Sequence, residues 1–164
     1  MSIDYDDISL ADSPILALSQ CFAECQLPHT LLSDHCVSLE VTGAWQKYEI
    51  AFAHQDQSFV IAALLPLAVS DTQHDHIYSL VGQMNADVPL GHFQLDTEQN
   101  SIEYRYTLPA SMLAALDMDT IEDLIEVAVM ALETLYPAAE TLLSRASDVQ
   151  TALGKYLYPA QGNA

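Results

Sequence analysis

We predict an α+β domain in which an antiparallel sheet of about five strands packs its helices on one face, in the order α-βββ-α-ββ-α(α). Three observations support this fold class. Apolar residues recur at helical spacing near the start of the chain and again from Pro109 onwards. Between these regions, two blocks alternate apolar and polar residues as half-buried strands do. The links between neighbouring strands are short, which favours antiparallel pairing.

The first helix and the first three strands come before residue 66. Asp12 or Ser13 can cap the helix, Pro14 suits its first turn, and Pro28 ends the element. Period-two alternation then predicts strands over residues 37–42 and 48–52, and a more continuously apolar run predicts a third over 59–65.

A second helix and two more strands follow. Asp71 or Thr72 can cap this helix, which ends near Asn85 and carries one apolar face: Ile77, Leu80, Val81 and Met84. The strands are predicted over 90–95 and 102–108, and the second alternates without interruption.

The rest of the chain is predicted to be helical. Asp119 and Glu122 have capping-box spacing at the start of a long helix. Pro137 is expected to kink or break that helix, because its ring clashes with the preceding turn. A length of 164 residues favours one domain. We expect a flexible acidic segment over 1–11, a single domain over 12–158 and a frayed end over 159–164, with no role assigned after Ser147.

The charge balance limits the classes of partner. The chain has 4 Lys and Arg against 23 Asp and Glu, a formal net charge of −19. Such a surface repels nucleic acid and anionic lipid and favours basic or weakly charged partners. No apolar run approaches the ~20 residues of a membrane span. The start of the chain lacks a positive signal region, and three cysteines make no closed disulfide set, so we expect a cytoplasmic protein.

Several residue groups could carry chemistry, but each is better explained by structure. His74 and His76 suggest a metal site, although residues two apart on a helix do not face each other. Cys21 and Cys25, one helical turn apart, fit core packing better than redox or metal chemistry. Within Asp34-His35-Cys36, His35 points away from its neighbours in an extended segment, so a catalytic triad is disfavoured.

The carboxylates Asp117, Asp119, Glu122, Asp123 and Glu126 fail the EF-hand calcium template, which needs Gly at position six and Glu at position twelve. Phosphate-loop, dinucleotide, nucleophile-elbow and zinc-protease motifs are absent from the sequence. We therefore predict no catalytic residues, no metal and no cofactor, and we do not expect an enzyme.

Four apolar residues on neighbouring strands are candidates for a partner-binding or dimer surface: Phe93, Leu95, Tyr104 and Tyr106. Each strand places two of them on one face. Such a set is most often the sheet face that packs against helices. If part of it is exposed, it can bind a partner, because Tyr anchors an interface at low entropic cost.

The second half of the chain resembles the YbjN family of bacterial sensory-transduction regulators. The residues that carry the resemblance are the run Leu80-Val81-Gly82-Gln83-Met84-Asn85-Ala86-Asp87-Val88-Pro89-Leu90-Gly91-His92-Phe93-Gln94-Leu95-Asp96 and the strand Ile102-Glu103-Tyr104-Arg105-Tyr106. The long helix reaching Tyr136-Pro137-Ala138 is also similar. The element order is more distantly similar to type III secretion chaperones. The resemblance implies a chaperone-like α+β fold, often dimeric, without established enzymatic activity.

Two functional hypotheses follow. The first is a non-catalytic protein-binding module, chaperone-like or regulatory, that forms a homodimer and binds a protein or peptide partner. The alternative is a small-molecule sensor or uncharacterised enzyme with a pocket between the sheet and the C-terminal helix.

Overall fold

A computed structural model describes residues 13–145 of the chain. The expectations for the acidic segment 1–11, for the tail after Ser147 and for the end 159–164 lie outside the described residues. The helices and strands occur in the following order: α1 Pro14–Glu24, β1 His29–Ser33, β2 Cys36–Thr42, β3 Lys47–Gln55, β4 Ser58–Leu64, α2 His74–Met84, β5 His92–Asp96, β6 Ser101–Pro109 and α3 Met118–Arg145. Short 3₁₀ turns lie at Asp71–Gln73 and Ala110–Ala115.

The strands form one antiparallel sheet in the order β1-β2-β3-β4-β6-β5. The α+β class is confirmed, but the sheet has six strands in place of the five we predicted. The additional strand, β1, is an edge strand in which four of five residues are exposed. Its burial therefore does not alternate, and the periodicity that identifies half-buried strands is missing.

Alternating residues of the sheet pack against the helices in one apolar core. The register places Val37, Phe52 and Ile61 in one row across β2, β3 and β4, and all three are buried. The opposite face is more polar and holds Glu40 and Glu49 beside Lys47, all of them exposed.

Helix α3 departs from the sequence prediction at two points. We expected Pro137 to kink or break the helix; the helix continues through the proline to Arg145, so a break is wrong and the kink stays a prediction. Ala138, Ala139 and Leu142 are buried beyond the proline, and this packing holds the last turns in place. The predicted capping pair is also wrong: the Asp117 carboxylate accepts hydrogen bonds from the Thr120 amide at 2.9 Å and the Thr120 hydroxyl at 2.6 Å.

Capping before α2 also differs from the expectation. Ser70, rather than Asp71 or Thr72, makes the capping box with Gln73 at the 3₁₀ turn that precedes α2. The predicted apolar face of α2 is buried as expected: Ile77, Leu80, Val81 and Met84.

Candidate protein-binding surfaces

The four residues that we nominated for partner binding lie on the face of the sheet that meets the helices. Phe93, Leu95 and Tyr104 are 2%, 9% and 1% exposed, and Tyr106 is half-buried beside them. The rings of Phe93 and Tyr104 meet edge to face, with centroids 5.6 Å apart. This is the packing role that such a set most often has. Of the four residues, Tyr106 alone is partly exposed and could contact a partner.

The segment that carries the family resemblance is a set of structural contacts around β5. The Asn85 side chain donates to the Phe93 carbonyl at 2.9 Å and accepts from the Phe93 amide at 2.7 Å. Asn85 therefore satisfies both backbone groups of Phe93, at a strand that lies on one edge of the sheet. The residues that carry the family resemblance therefore include the one whose side chain satisfies the backbone of this edge strand.

A second contact fixes the loop before β5. The Tyr104 hydroxyl donates to the Leu90 carbonyl at 2.8 Å. Gly91 has φ +73°, and a Cβ there would lie 2.7 Å from the Tyr104 hydroxyl oxygen. Burial, followed by the proximity of Tyr106, raises the pKa of Tyr104 to about 12. The phenol therefore stays neutral and continues to donate across the physiological range.

At the opposite edge of the sheet, no strand within the described residues pairs with the outer side of β1, which is here called the open edge. The Pro28 carbonyl accepts from the Glu40 amide at 2.9 Å. Because antiparallel pairs alternate between bonded and non-bonded, Thr30 also faces β2, whereas the backbone groups of His29 and Leu31 point away from the sheet. Within residues 13–145, nothing pairs with those outward groups.

Two leucines flank this open edge. Leu31 and Leu32 are 44% and 57% exposed. Leu31 pairs with Val37, and Leu32 is the extra residue at the register shift before Ser33. Sheet edges in natural proteins are usually protected by lysine, proline or a covering element. β1 has neither residue within its sequence HTLLS, although its register shifts between Leu31 and Ser33.

The start of β1 is held in place by helix α1. His29 and Phe22 make an edge-to-face ring contact with centroids 5.8 Å apart. The His29 Nδ1 atom lies 2.9 Å from the Leu27 carbonyl oxygen, so an Nδ1–H donates to it. These contacts present the open edge in a fixed conformation.

The charges near the edge are mostly negative. Glu24, Asp34 and Glu40 are exposed on the elements next to β1. The nearby cation, Lys47, is paired with Glu40 at 2.7 Å. A segment that binds at this edge would therefore be favoured by basic or neutral side chains.

The turn between β2 and β3 is attached to α3. The Glu133 carboxylate accepts from the Ala44 amide at 2.9 Å and from the Trp45 amide at 3.4 Å. A Cβ at Gly43 would overlap the same carboxylate and lie 2.6 Å from the buried Tyr48 ring, so the close approach favours glycine. Burial, reinforced by Glu133, raises the pKa of Tyr48 far above its ordinary value. The result is an ordered turn with a half-exposed Trp45.

The structure gives the other nominated residues structural contacts. His74 Nε2 lies 2.7 Å from the Asn100 amide oxygen, and the Asn100 amide donates to Asp71 at 3.0 Å, which ties the start of α2 to the β5–β6 turn. His76 is exposed. Within the described part of the chain, no three His, Cys, Asp or Glu side chains group as metal ligands.

The environments of Cys21 and Cys36 do not favour thiolates. Burial, followed by Glu24, raises the pKa of Cys21, and burial followed by Glu49 raises that of Cys36. His35 lies instead against the His54 ring, with centroids 6.5 Å apart. The described arrangement therefore does not activate Cys36 as a nucleophile.

The alternative hypothesis places a ligand pocket between the sheet and the C-terminal helix, which is α3. Ala128, Leu132 and Leu135 of α3 are each fully buried in the core.

Over residues 13–145, no helix combines the length and the apolar character needed to cross a bilayer.

The architecture is an α+β fold similar to that of a type III secretion chaperone. The crystal structure of the ExsC–ExsE complex, which contains a type III secretion chaperone, superposes with a TM-score of 0.56 at 14% sequence identity. The match covers 85% of this chain and all of that chain. At this identity the likeness establishes the fold, and it confirms the predicted chaperone-like architecture.

The family is established by sequence. The model of the YbjN family, described as "Putative bacterial sensory transduction regulator", matches residues 17–141, and the chain belongs to that family. A search of curated proteins finds no match. The family is described as one of regulators, and the likeness to the solved complex adds the fold alone.

Proposed function

We propose that this protein is a non-catalytic, cytoplasmic protein-binding module that takes up an extended segment of a partner protein along the open edge of β1. One observation carries the proposal. The outward backbone groups of His29 and Leu31 are unpaired in the described structure, and the side chains of Leu31 and Leu32 on the same strand are exposed.

An added strand would meet each of these features. Its backbone would complete the hydrogen bonds of His29 and Leu31, which is how strand addition generates affinity. Its side chains would pack against the exposed side chains of Leu31 and Leu32. Both leucines lose water on binding, and burial of apolar area stabilises the complex by about 25 cal/mol per Å² before the costs of association.

We include a homodimer in the proposal, since the family resemblance implies one. Light scattering on the purified full chain would then give about twice the 18.0 kDa chain mass. A contribution from Phe93, Leu95 or Tyr104 would need the helices to move off the sheet, whereas Tyr106 is already partly accessible. A single-chain mass across the working concentration range would remove the dimer and leave β1 as the proposed binding site.

The binding site is tested with peptides selected on the full chain from an unbiased display library. Leu31→Pro removes an outward amide and leaves the ladder to β2 intact, and Leu32→Lys changes the exposed side chain without removing a backbone donor. Leu64→Lys is the matched control, because Leu64 is 53% exposed at the end of the interior strand β4.

We expect the two β1 variants to weaken peptide binding by at least about tenfold, the size of a single interface hot spot. The control should bind as the unsubstituted protein does, and melting curves should show that all three variants fold. If every selected peptide binds the β1 variants with unchanged affinity, the proposed site is wrong.

A further inference from the structure

A small apolar notch lies between α3 and the loop that follows α2. Its lining residues are Met84, Asp87, Val88, Pro89, Val127, Met130, Ala131 and Thr134, around a cavity of about 120 Å³. That volume exceeds the ~30 Å³ share of one water. It falls well below the ~300–1,000 Å³ of pockets for metabolite-sized ligands. The notch therefore fits a single side chain of a larger partner.

The rim of the notch combines an exposed apolar residue with acidic groups. Met130 is 60% exposed, an unusual position for a methionine, which is flexible and polarisable enough to adapt to different apolar partners. Asp87 lines the notch directly. Asp123 and Glu126 are exposed on α3 at seven and four residues before Met130, and this spacing puts them on the same stripe of the helix.

The cations within residues 13–145 lie elsewhere. Lys47 and Arg105 belong to strands β3 and β6, where each has a carboxylate partner, and Arg145 is the last residue of α3, about four turns beyond Met130. The chain as a whole carries a formal charge of −19. The rim therefore favours a basic partner, and its linear arrangement along α3 matches another helix better than an extended strand.

We propose that this notch binds a basic amphipathic helix of a partner protein, which inserts one large apolar side chain beside Met130 and places Lys or Arg against Asp87 and Glu126. This site goes beyond the β1 proposal and shares no residue with it. The apolar side chain supplies most of the affinity, and the charges select basic flanking residues over acidic ones.

The probe is a designed helical peptide of Leu and Lys, titrated into the full chain labelled with ¹³C at its methionine methyl groups. The sequence has five methionines, so few signals need assignment. Met130 and Met84 report on the notch, and Met112, which is 47% exposed in the 3₁₀ turn before α3, serves as an internal reference. A Ser and Lys peptide of equal charge measures general electrostatic attraction, and a Leu and Glu peptide tests the sign of the charge.

We expect the Leu and Lys peptide to shift the Met130 and Met84 methyl signals and to leave Met112 unchanged. Met130→Glu and the double variant Asp87→Asn with Glu126→Gln should each weaken binding by at least about tenfold. The matched controls Met112→Glu and Glu140→Gln, both at exposed positions outside the notch, should bind normally, and so should Leu31→Pro in β1.

Three results would overturn the proposal. The first is equal binding of the Ser and Lys peptide, which would mean general attraction to an acidic surface. The second is an equal shift of Met112, which would mean that the notch is not the site. The third is no binding of the Leu and Lys peptide. If the helical peptide binds at the notch but no display-selected peptide binds at β1, only the β1 proposal is wrong.

Discussion

The contact between Asn85 and the β5 edge makes a quantitative prediction about stability. Substitution of Asn85 by alanine removes two hydrogen bonds to the Phe93 backbone, at 2.7 Å and 2.9 Å. A typical hydrogen bond contributes about 0.5–1.5 kcal/mol net, and leaving a buried partner unsatisfied costs about 1–3 kcal/mol. Both contacts are partly buried. We therefore expect Asn85→Ala to lower the free energy of unfolding by about 2–3 kcal/mol.

Urea unfolding followed by circular dichroism measures this change through the shift of the midpoint at constant slope. Gln57→Ala is the matched control, since Gln57 is an exposed amide in the turn between β3 and β4. It should change stability by less than about 0.5 kcal/mol. A loss for Asn85→Ala no larger than that of the control would refute the idea that this residue closes the edge.

Three further predictions concern the turn at β2–β3 and the start of α3. Gly43→Ala should lower the free energy of unfolding by about 1–3 kcal/mol, because the added methyl group overpacks the turn. Gly82→Ala should raise it by about 0.5–1 kcal/mol, because Gly82 is at an exposed position of α2 with no neighbouring atom within 4 Å of the added Cβ. Denaturant midpoints measure both changes. Glu133→Ala removes the acceptor for the Ala44 and Trp45 amides, so the fluorescence of Trp45 should become less polarised while the melting temperature of the protein stays the same. Unchanged polarisation would contradict this prediction. Hydrogen bonds from Thr120 hold the pKa of Asp117 below its ordinary value of 3.8, so the carboxylate stabilises the fold above that pH and this stabilisation is lost as the pH falls through the lower folded pKa. Asp117→Ala should therefore be less stable than the unsubstituted protein at neutral pH. The difference should shrink in acid, which unfolding free energies measured at several pH values will show.

The sequence predicted the parts of the fold whose burial is periodic. Helix α2 and strand β6 each bury one face, so spacing alone identifies them. Strand β1 was missed because an exposed edge strand has no buried face to alternate. The break expected at Pro137 was wrong because local preference was outweighed by tertiary packing on both sides of the proline.

The candidate sites were harder to predict, because the proposed strand addition depends on backbone groups that the sheet leaves unpaired in the described part of the chain. Phe93 and Tyr104 attracted attention as aromatic strand residues, and they are buried. The sequence carries a weak signal for the β1 edge in the adjacent Leu31 and Leu32, two large apolar residues between polar neighbours. Their significance appears only when the sheet order places β1 at an edge. Likewise, the notch beside Met130 brings together residues from two distant segments of the chain, 84–89 and 127–134.

The most direct test of strand addition at β1 is amide hydrogen exchange on the full chain, with and without a peptide selected by display. Strand addition predicts that the His29 and Leu31 amides exchange rapidly in the free protein, because they face away from β2, and are strongly protected in the complex. The Thr30 amide, already bonded within the sheet, should change much less. If a peptide binds and the His29 and Leu31 amides still exchange as rapidly as before, strand addition at β1 is contradicted.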